Sequence, residues 1–321
     1  MRHAIAFIFG TFVGTALLVF LVITQMGTPT SSSKWAYDLY SIKERHASQE
    51  NRNKLLIVAG SNSLFGINSS LLESRLRIPT TNLGVHAGLG LKYILERSKR
   101  SLGRGDIVYL PLELDLYQQD DTPSAQLMDF VLARDPQYLH TLPIQQQILG
   151  FANVPIARII EGLRGGSDRY LGSSSTVYNV HNVDSSGDQT NNTLEKARDY
   201  SSRLERLAPK DIGNTEISSH SKNLIRDYIY WARENGVCVI GGPPSLMKFE
   251  EYESERFLEF LGKTVNLFSD LGVHYVGRPA DYLFPRELFF DTEYHLNTKG
   301  AMIRTQLIID DLGTGLSAHC G

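Results

Sequence analysis

The chain has 321 residues, of which 42% are hydrophobic and 10% aromatic, so it can bury a full core and is not disordered as a whole. A formal charge of -3 argues against a nucleic-acid partner, because nucleic-acid binding usually needs a strong positive field. Its two cysteines, Cys238 and Cys320, are too few for a disulfide framework or a cysteine-based zinc site, and the apolar neighbours of Cys238 indicate a core position.

Residues 1–27 are predicted to be a transmembrane signal anchor. After Arg2 and His3, residues 4–23 carry no charge, and a helix of that length, rising about 1.5 Å per residue, crosses the roughly 30 Å hydrocarbon layer. The alternative is a cleaved signal peptide, but its apolar run would be only about 7 to 15 residues long. We therefore expect one uncleaved span, with the positive amino end inside and the remaining chain outside the cytoplasm.

Residues 28–53 are predicted to be a linker, TPTSSS, followed by a juxtamembrane helix over 35–49. From residue 54 to 321, short apolar runs alternate with helical segments. Strands separated by crossover helices pair in parallel, so the pattern predicts an α/β fold with a three-layer, doubly wound parallel sheet. The predicted strands are LLIVAG (55–60), TTNLGV (80–85), DIVYLPLEL (106–114), VCVIGGPP (237–244) and VHYVG (273–277).

The alternation lapses at about 116–224, which is too long for a simple connection. We interpret this segment as a large, mainly helical insertion, with helices near 124–133 and 194–207, that forms a cap or lid over the site. For residues 167–192, rich in Gly, Ser, Asn and Asp, a poorly ordered surface excursion is an equal alternative.

Ligands of doubly wound sheets bind beyond the carboxyl ends of the strands, so the loops there hold the candidate site. Ser61 follows the first strand at the start of a helix, where its hydroxyl could act as a nucleophile and its N–H could favour a developing oxyanion. For Ser61 and Ser63 the alternative role is a helix cap. In the second loop, an N–H of Gly84 or Gly88 could be a further oxyanion donor, although turn geometry alone would explain both glycines.

His295 precedes a predicted helix that starts near Asn297, and Asp291 lies upstream on the same loop. A carboxylate can hold a histidine in one tautomer, so that the ring takes a serine proton as general base; a lone surface histidine is the alternative. His86 is a possible accessory group or a turn residue. No metal-binding, nucleotide or dinucleotide motif follows a strand, so neither a metal nor a cofactor is predicted.

Three blocks resemble the SGNH/GDSL hydrolase superfamily, especially its membrane-anchored bacterial branch linked with acylation of cell-surface polysaccharides. They are AGSNSLFGI (59–67), NLGVHAG (82–88) and DTEYHLNTKG (291–300). The resemblance implies an SGNH/flavodoxin-like fold, and a serine esterase or O-acetyltransferase acting on acyl esters of an envelope or exported polysaccharide. Ser61 would be the nucleophile, His295 the base and Asp291 its partner, with Gly84 and Gly88 at the oxyanion.

The same resemblance places the domain on the periplasmic side of the inner (cytoplasmic) membrane, with the polysaccharide as substrate and a membrane acyltransferase as a possible partner. Several residues depart from the family pattern. Gly60 replaces the usual Asp before the nucleophile, and a rival register would use Ser63, with Asn62 as an accessory group. Asp291 lies four residues before His295 rather than three, so Glu293 could orient the ring instead.

Glu113 lies where the family carries an oxyanion-hole Asn, and a carboxylate there would repel a developing oxyanion unless it is protonated or turned away. This departure favours an alternative: a catalytically inactive SGNH-like subunit that binds glycan or assists assembly of a membrane complex.

Overall fold

A computed structural model describes residues 2–50, 52–170, 177–211, 215–313, 316 and 320. By its internal contacts the chain divides into two compact units, one made of residues 1–37 and 121–176, the other of residues 38–120 and 177–321. Its helices are α1 (Arg2–Thr24), α2 (Ser31–Gln49), α3 (Ser61–Gly66), α4 (Ser69–Leu76), α5 (Leu91–Ser98), α6 (Leu114–Tyr117), α7 (Ala125–Arg134), α8 (Ile144–Ala152), α9 (Ile156–Leu163), α10 (Leu194–Ala197), α11 (Ser201–Glu205), α12 (Ser219–Glu234), α13 (Glu255–Asp270) and α14 (Thr298–Leu312). Its strands are β1 (Leu55–Ile57), β2 (Thr80–Asn82), β3 (Ile107–Leu110), β4 (Cys238–Gly241), β5 (Leu246–Met247) and β6 (Leu283–Phe284).

The second unit is built on a four-stranded parallel sheet in the order β2-β1-β3-β4. Leu55 aligns with Thr80 on one side and with Ile107 on the other. Strands β1, β2 and β3 are buried throughout, as expected for a parallel sheet covered on both faces. The predicted α/β fold with a parallel sheet is therefore confirmed, with each of the first four predicted strands present in a shorter form.

The predicted fifth strand, 273–277, is not formed as such. Within the described residues it contributes an isolated parallel bridge from Tyr275 to Gly241. A separate two-stranded parallel sheet instead joins β5 to β6. The predicted run VHYVG thus touches the end of β4 without extending the ladder beyond one residue.

Two helix starts that border the candidate site have side-chain caps. The Asn68 side chain accepts a hydrogen bond from Leu71 N–H at 2.8 Å at the start of α4, and Asn297 accepts from Gly300 N–H at 3.1 Å at the start of α14. An N-cap acceptor satisfies one of the backbone donors that a helix start leaves unpaired. The predicted helix start near Asn297 is therefore confirmed.

The predicted insertion is divided between the two units. Residues 121–176 cluster with the N-terminal residues, whereas residues 177–211 belong to the unit that carries the parallel sheet. In that unit Asn192 Nδ2 donates to Phe65 O at 3.0 Å and to Leu296 O at 2.8 Å. Residues 177–192 are thus packed on the α/β unit and are not a surface excursion; residues 171–176 lie outside the described residues.

Cys238 and Cys320 form a disulfide, with Cα atoms 5.3 Å apart. The predicted core position of Cys238 is confirmed in part, because the residue packs against the hydrophobic core but is only partly buried. Cys238 is the first residue of β4, so the disulfide ties the start of this strand to residue 320. Two cysteines cannot form a framework of several disulfides, but they can form one disulfide.

The N-terminal segment forms α1 over the stretch predicted to be an anchor, and α2 begins at Ser31, so the predicted linker shortens. Large apolar side chains of α1 are exposed, among them Phe7, Phe12 and Phe20. Among the described residues, no helix combines the length and the apolar character of a membrane span.

Candidate active site

Ser61 is the first residue of α3, immediately beyond β1, with Gly60 as the N-cap residue. Its side chain is half-buried, whereas Ser63 is fully buried and its hydroxyl has no hydrogen-bond partner among the described residues. In the part of the chain that the structure describes, no hydrogen bond engages the hydroxyl or the backbone N–H of Ser61. Of the two predicted registers, the accessible hydroxyl is that of Ser61.

The Glu113 carboxylate is hydrogen-bonded to the backbone on both sides of Ser61. It accepts hydrogen bonds from Gly60 N–H and from Asn62 N–H, each at 3.0 Å. The charge that was expected to repel an oxyanion is thus turned toward two backbone donors, one on each side of Ser61. A Cβ at Gly60 would meet the Glu113 carboxylate and would lie 2.6 Å from Ala87 N. The aspartate that the resembled family carries here has no room in this chain.

Asn62 joins the turn to the last helix. Its Oδ1 accepts from Arg304 Nη2 at 2.8 Å and its carbonyl accepts from Arg304 Nη1 at 2.9 Å, while its Nδ2 donates to Pro111 O at 3.1 Å. Arg304 is fully buried, and this burial lowers its pKa below the ordinary value. Sequence reasoning missed Arg304, although an arginine among the apolar residues of α14 was a signal. Asn62 is a positioning residue in this arrangement.

Asp291 and His295 are brought together by a tight turn. Phe290 N–H donates to His295 O at 2.7 Å, which closes the loop, and His295 Nδ1 lies 2.7 Å from Asp291 Oδ1. Burial alone would raise the pKa of Asp291, but hydrogen bonds from His295 and Tyr178 outweigh it and hold the pKa below its ordinary value. Glu293, the other predicted partner, forms an ion pair with Lys210 at 2.8 Å instead.

The position of the His295 ring is fixed by Phe65 of α3. The two rings stack with centroids 4.1 Å apart and planes 5° apart. Phe65 lies four residues after Ser61, and residues four apart lie on the same face of a helix. His295 therefore stacks on a side chain that lies one helical turn after Ser61 on the same face of α3.

Tyr178 supplies a contact that the sequence did not predict. Its hydroxyl donates to Asp291 Oδ2 at 2.5 Å and lies 3.5 Å from His295 Nδ1. Burial and the charge of Asp291 raise the pKa of this phenol well above its usual range, so it stays protonated and donates. Tyr178 comes from the predicted insertion, where nothing in the local pattern distinguished it from a surface residue.

The second loop packs directly on the serine turn. A Cβ at Gly84 would lie 2.6 Å from Gly60 O and 2.8 Å from Ser63 Cβ, so only glycine fits there. Both N–H groups predicted as oxyanion donors already make hydrogen bonds: Gly84 N–H donates to Asn82 Oδ1 at 3.0 Å, and Gly88 N–H donates to His86 Nδ1 at 2.8 Å. In this structure the two glycines serve the loop's own geometry.

His86 lies in the same loop and caps the turn that follows it. Because its Nδ1 accepts a hydrogen bond from a backbone N–H, the proton of the neutral ring sits on Nε2. Burial and the nearby charge of His295 lower the pKa of His86, which keeps the ring neutral near pH 7. The ring is therefore a neutral imidazole with its proton on Nε2.

Two buried ionisable groups, Lys43 of α2 and Asp188, make hydrogen bonds to the second loop. Lys43 Nζ donates to Gly84 O at 2.5 Å and to Gly187 O at 2.7 Å, while Asp188 accepts from Ser69 Oγ at 2.9 Å and from Asn82 Nδ2 at 2.8 Å. Burial lowers the pKa of Lys43 to about 7 and raises the pKa of Asp188 to about 6. Neither residue was predicted to belong to the site.

Among the described residues, no three His, Cys, Asp or Glu side chains are grouped so that they could hold a metal ion. The chain matches no known protein-family model, and a search of curated proteins finds no significant relative. The assignment of a function to this site therefore depends on its own geometry.

Proposed function

We propose that the chain is a serine acyl-ester enzyme, an esterase or O-acetyltransferase, with Ser61 as nucleophile, His295 as general base and Asp291 as the partner of His295. The observation that carries the proposal is the stacking of His295, already bonded to Asp291, on the aromatic ring one helical turn after Ser61. A nucleophile, a base and a residue that orients the base are the three parts of a hydroxyl-based acyl-transfer site.

In the proposed reaction, the Ser61 oxygen forms a bond to the acyl carbonyl carbon while its proton passes to His295 Nε2. The π electrons of the carbonyl move onto its oxygen, which becomes the oxyanion. Collapse of this intermediate breaks the ester bond, and the departing alcohol takes the proton from His295. Water or a sugar hydroxyl then attacks the acyl carbon of the acyl-serine and gives its proton to His295. The bond between that carbon and the Ser61 oxygen breaks, and Ser61 takes the proton back from His295. The products are the free acid after attack by water and the acylated sugar after attack by the hydroxyl.

The oxyanion needs hydrogen-bond donors in addition to the Ser61 N–H. The glycine candidates, Gly84 and Gly88, could serve only after giving up the hydrogen bonds they make in this structure. The Nε2–H of His86 is the alternative that we favour, because its tautomer is fixed and its loop packs against Gly60. A side-chain donor would also compensate for Glu113, which occupies the position of the family's Asn and donates nothing when ionised.

We further propose that the substrate is an acyl ester of an envelope or exported polysaccharide, and that α1 anchors the chain in the inner membrane with a membrane acyltransferase as a possible partner. Three features support this placement: residues 4–23 carry no charge, several large apolar side chains of α1 are exposed, and Cys238 is disulfide-bonded to Cys320. Disulfides persist mainly in oxidising compartments outside the cytoplasm.

The proposal is tested by hydrolysis of a fluorogenic acetyl ester by the full-length protein in detergent. We expect Ser61→Ala to abolish turnover, while Ser74→Ala, which removes an exposed hydroxyl on α4, leaves it unchanged. Equal rates for wild type and Ser61→Ala would exclude Ser61 as the nucleophile.

A second candidate function is a catalytically inactive subunit that binds glycan or assists assembly. The observation in its favour is that both glycine N–H groups predicted to bind the oxyanion already donate within the loop. This function predicts glycan binding that survives Ser61→Ala, with no covalent labelling by a fluorophosphonate. Stoichiometric labelling of Ser61 would reject it in favour of the enzyme.

A further inference from the structure

Two consecutive helices of the unit formed by residues 1–37 and 121–176 expose large aliphatic side chains. On α8 these are Ile144, 71% exposed, and Ile148, 62% exposed; on α9 they include Ile156, 75% exposed, and Leu163, 65% exposed. Single exposed aliphatic residues are normal on a protein surface, but several of them on two short consecutive helices indicate an interaction surface. We call these residues, together with Ile160, the aliphatic face.

The aliphatic face carries no outward charge. Residues 144–163 contain two charged side chains, Arg158 and Glu161, and both point into the unit. Arg158 is buried and its Nη2 donates to Gln25 O at 3.0 Å. Glu161 Oε1 accepts from Ser31 N–H at 2.8 Å and from the Ser31 hydroxyl at 2.9 Å. The exposed side chains of residues 144–163 are therefore aliphatic or polar without charge.

These same contacts fix the position of α9 relative to α1. Besides the bond from Arg158, Gln25 Nε2 donates to Ile159 O at 3.1 Å, and Gly162 lies so close to the Gln25 side chain that a Cβ there would clash with it. Gln25 is the residue directly after the end of α1. If α1 crosses a membrane, α9 is consequently held at the level where the lipid headgroups meet the hydrocarbon.

We propose that the aliphatic face of α8 and α9 inserts into the outer interface of the lipid bilayer that α1 anchors. Helices with one apolar face lie in the plane of a membrane with that face among the acyl chains. The inference rests on the membrane placement of α1 in the proposed function, but not on its chemistry. It gives the unit two kinds of membrane contact, an anchor and a surface that lies flat on the lipid.

The test uses the full-length chain in phosphatidylcholine nanodiscs, with one spin label at a time. Labels are introduced by Ile148→Cys and Ile160→Cys on the aliphatic face, by Leu17→Cys on α1 as the membrane reference, and by Glu234→Cys at an exposed site as the aqueous reference. Collision of each label with oxygen, which concentrates in lipid, is compared with collision with a water-soluble nickel chelate. We expect a several-fold higher oxygen-to-nickel ratio at positions 148, 160 and 17 than at position 234.

Labels 148 and 160 that collide with nickel as readily as label 234, while label 17 stays in lipid, would overturn the inference and leave the anchor intact. Nickel access to label 17 would reject the anchor and the inference together. Labels shielded from both reagents would show that protein covers the face, which also rejects the lipid contact. A melting temperature equal to that of the unlabelled chain shows that each variant is folded.

Discussion

His295 Nδ1 lies 2.7 Å from Asp291 Oδ1, although Asp291 precedes His295 by four residues rather than by the three of the resembled family. A carboxylate in this position keeps the Nδ1 proton in place and leaves the Nε2 lone pair available for a serine proton. A spacing of three residues is therefore not needed for this contact. The hydrogen bond from Phe290 N–H to His295 O closes the loop, so that the two side chains meet at a spacing of four.

Asp291→Asn is expected to lower kcat for acetyl-ester hydrolysis by roughly 10³- to 10⁴-fold, because an amide can stabilise the wrong histidine tautomer. Steady-state kinetics measure the loss, and circular dichroism checks the fold. The control is Asp227→Asn, at an exposed carboxylate that pairs with Arg226. A kcat for Asp291→Asn equal to that of the control would contradict a catalytic pair.

Tyr178→Phe removes a hydrogen bond to Asp291 and keeps the aromatic ring. The pKa of Asp291 is held below its ordinary value partly by this bond, so the pKa should rise in the variant. We expect the acidic limb of the pH–rate profile to move to higher pH and kcat near neutrality to fall by about tenfold, the equivalent of roughly 1.4 kcal/mol. The control is Tyr230→Phe at an exposed position. An unchanged acidic limb would show that Tyr178 only fills space.

Two substitutions of His86 separate its possible roles. In His86→Asn, the amide oxygen can still accept from Gly88 N–H, but the donor at the Nε2 position is lost; in His86→Gln, an amide N–H can reach that position while the Gly88 acceptor is lost. If His86 binds the oxyanion, kcat should fall by about 10²- to 10³-fold in the Asn variant and much less in the Gln variant. A more active Asn variant would assign His86 to the turn alone. His140→Ala, at an exposed position, is the control.

The Lys43–Asp188 cluster predicts a distinctive dependence of stability on pH. Because the pKa of Lys43 falls from 10.5 to about 7 on folding, the unfolded chain binds more protons between these values, so this lysine makes stability rise with pH above about 7. Asp188 acts oppositely: its pKa rises from 3.8 to about 6, so its contribution to stability declines as pH rises through that window.

Urea unfolding at several values between pH 7 and 9.5 measures the lysine effect. The wild type should gain at most about 1.4 kcal/mol per pH unit from Lys43, and Lys43→Met should lack this gain. Lys299→Met, at an exposed lysine, should keep it. Parallel pH curves for wild type and Lys43→Met would contradict a depressed pKa at this site.

The sequence predicted those features that depend on neighbouring residues. Continuous apolar runs identified β1 to β4, and polar residues after β1 and before α14 identified Ser61 and Asn297 as element starts. Proximity on one loop predicted a carboxylate partner for His295 but left open whether it is Asp291 or Glu293. Each of these features is set by spacing along a short stretch of chain.

The remaining features depend on contacts between distant parts of the chain. Lys43 reaches Gly84 across 41 residues and Gly187 across 144, so a helix pattern around Lys43 could not reveal that it is buried. Tyr178 meets Asp291 across 113 residues, from a segment without periodicity. The sequence left open which way the Glu113 carboxylate turns, because a residue type at one position does not show its orientation.

The position of Tyr178 and Asn192 on the α/β unit has a consequence for attempts to shorten the chain. A minimal version that joins residue 115 directly to residue 225 would keep all of the sheet, Ser61 and the Asp291–His295 loop, and would look complete by its motifs. It would nevertheless lose the phenol donating to Asp291 and the amide that bridges Phe65 to Leu296. Residues 178 and 192 thus help to build the proposed site, and a deletion that includes them removes hydrogen bonds to Asp291, Phe65 and Leu296.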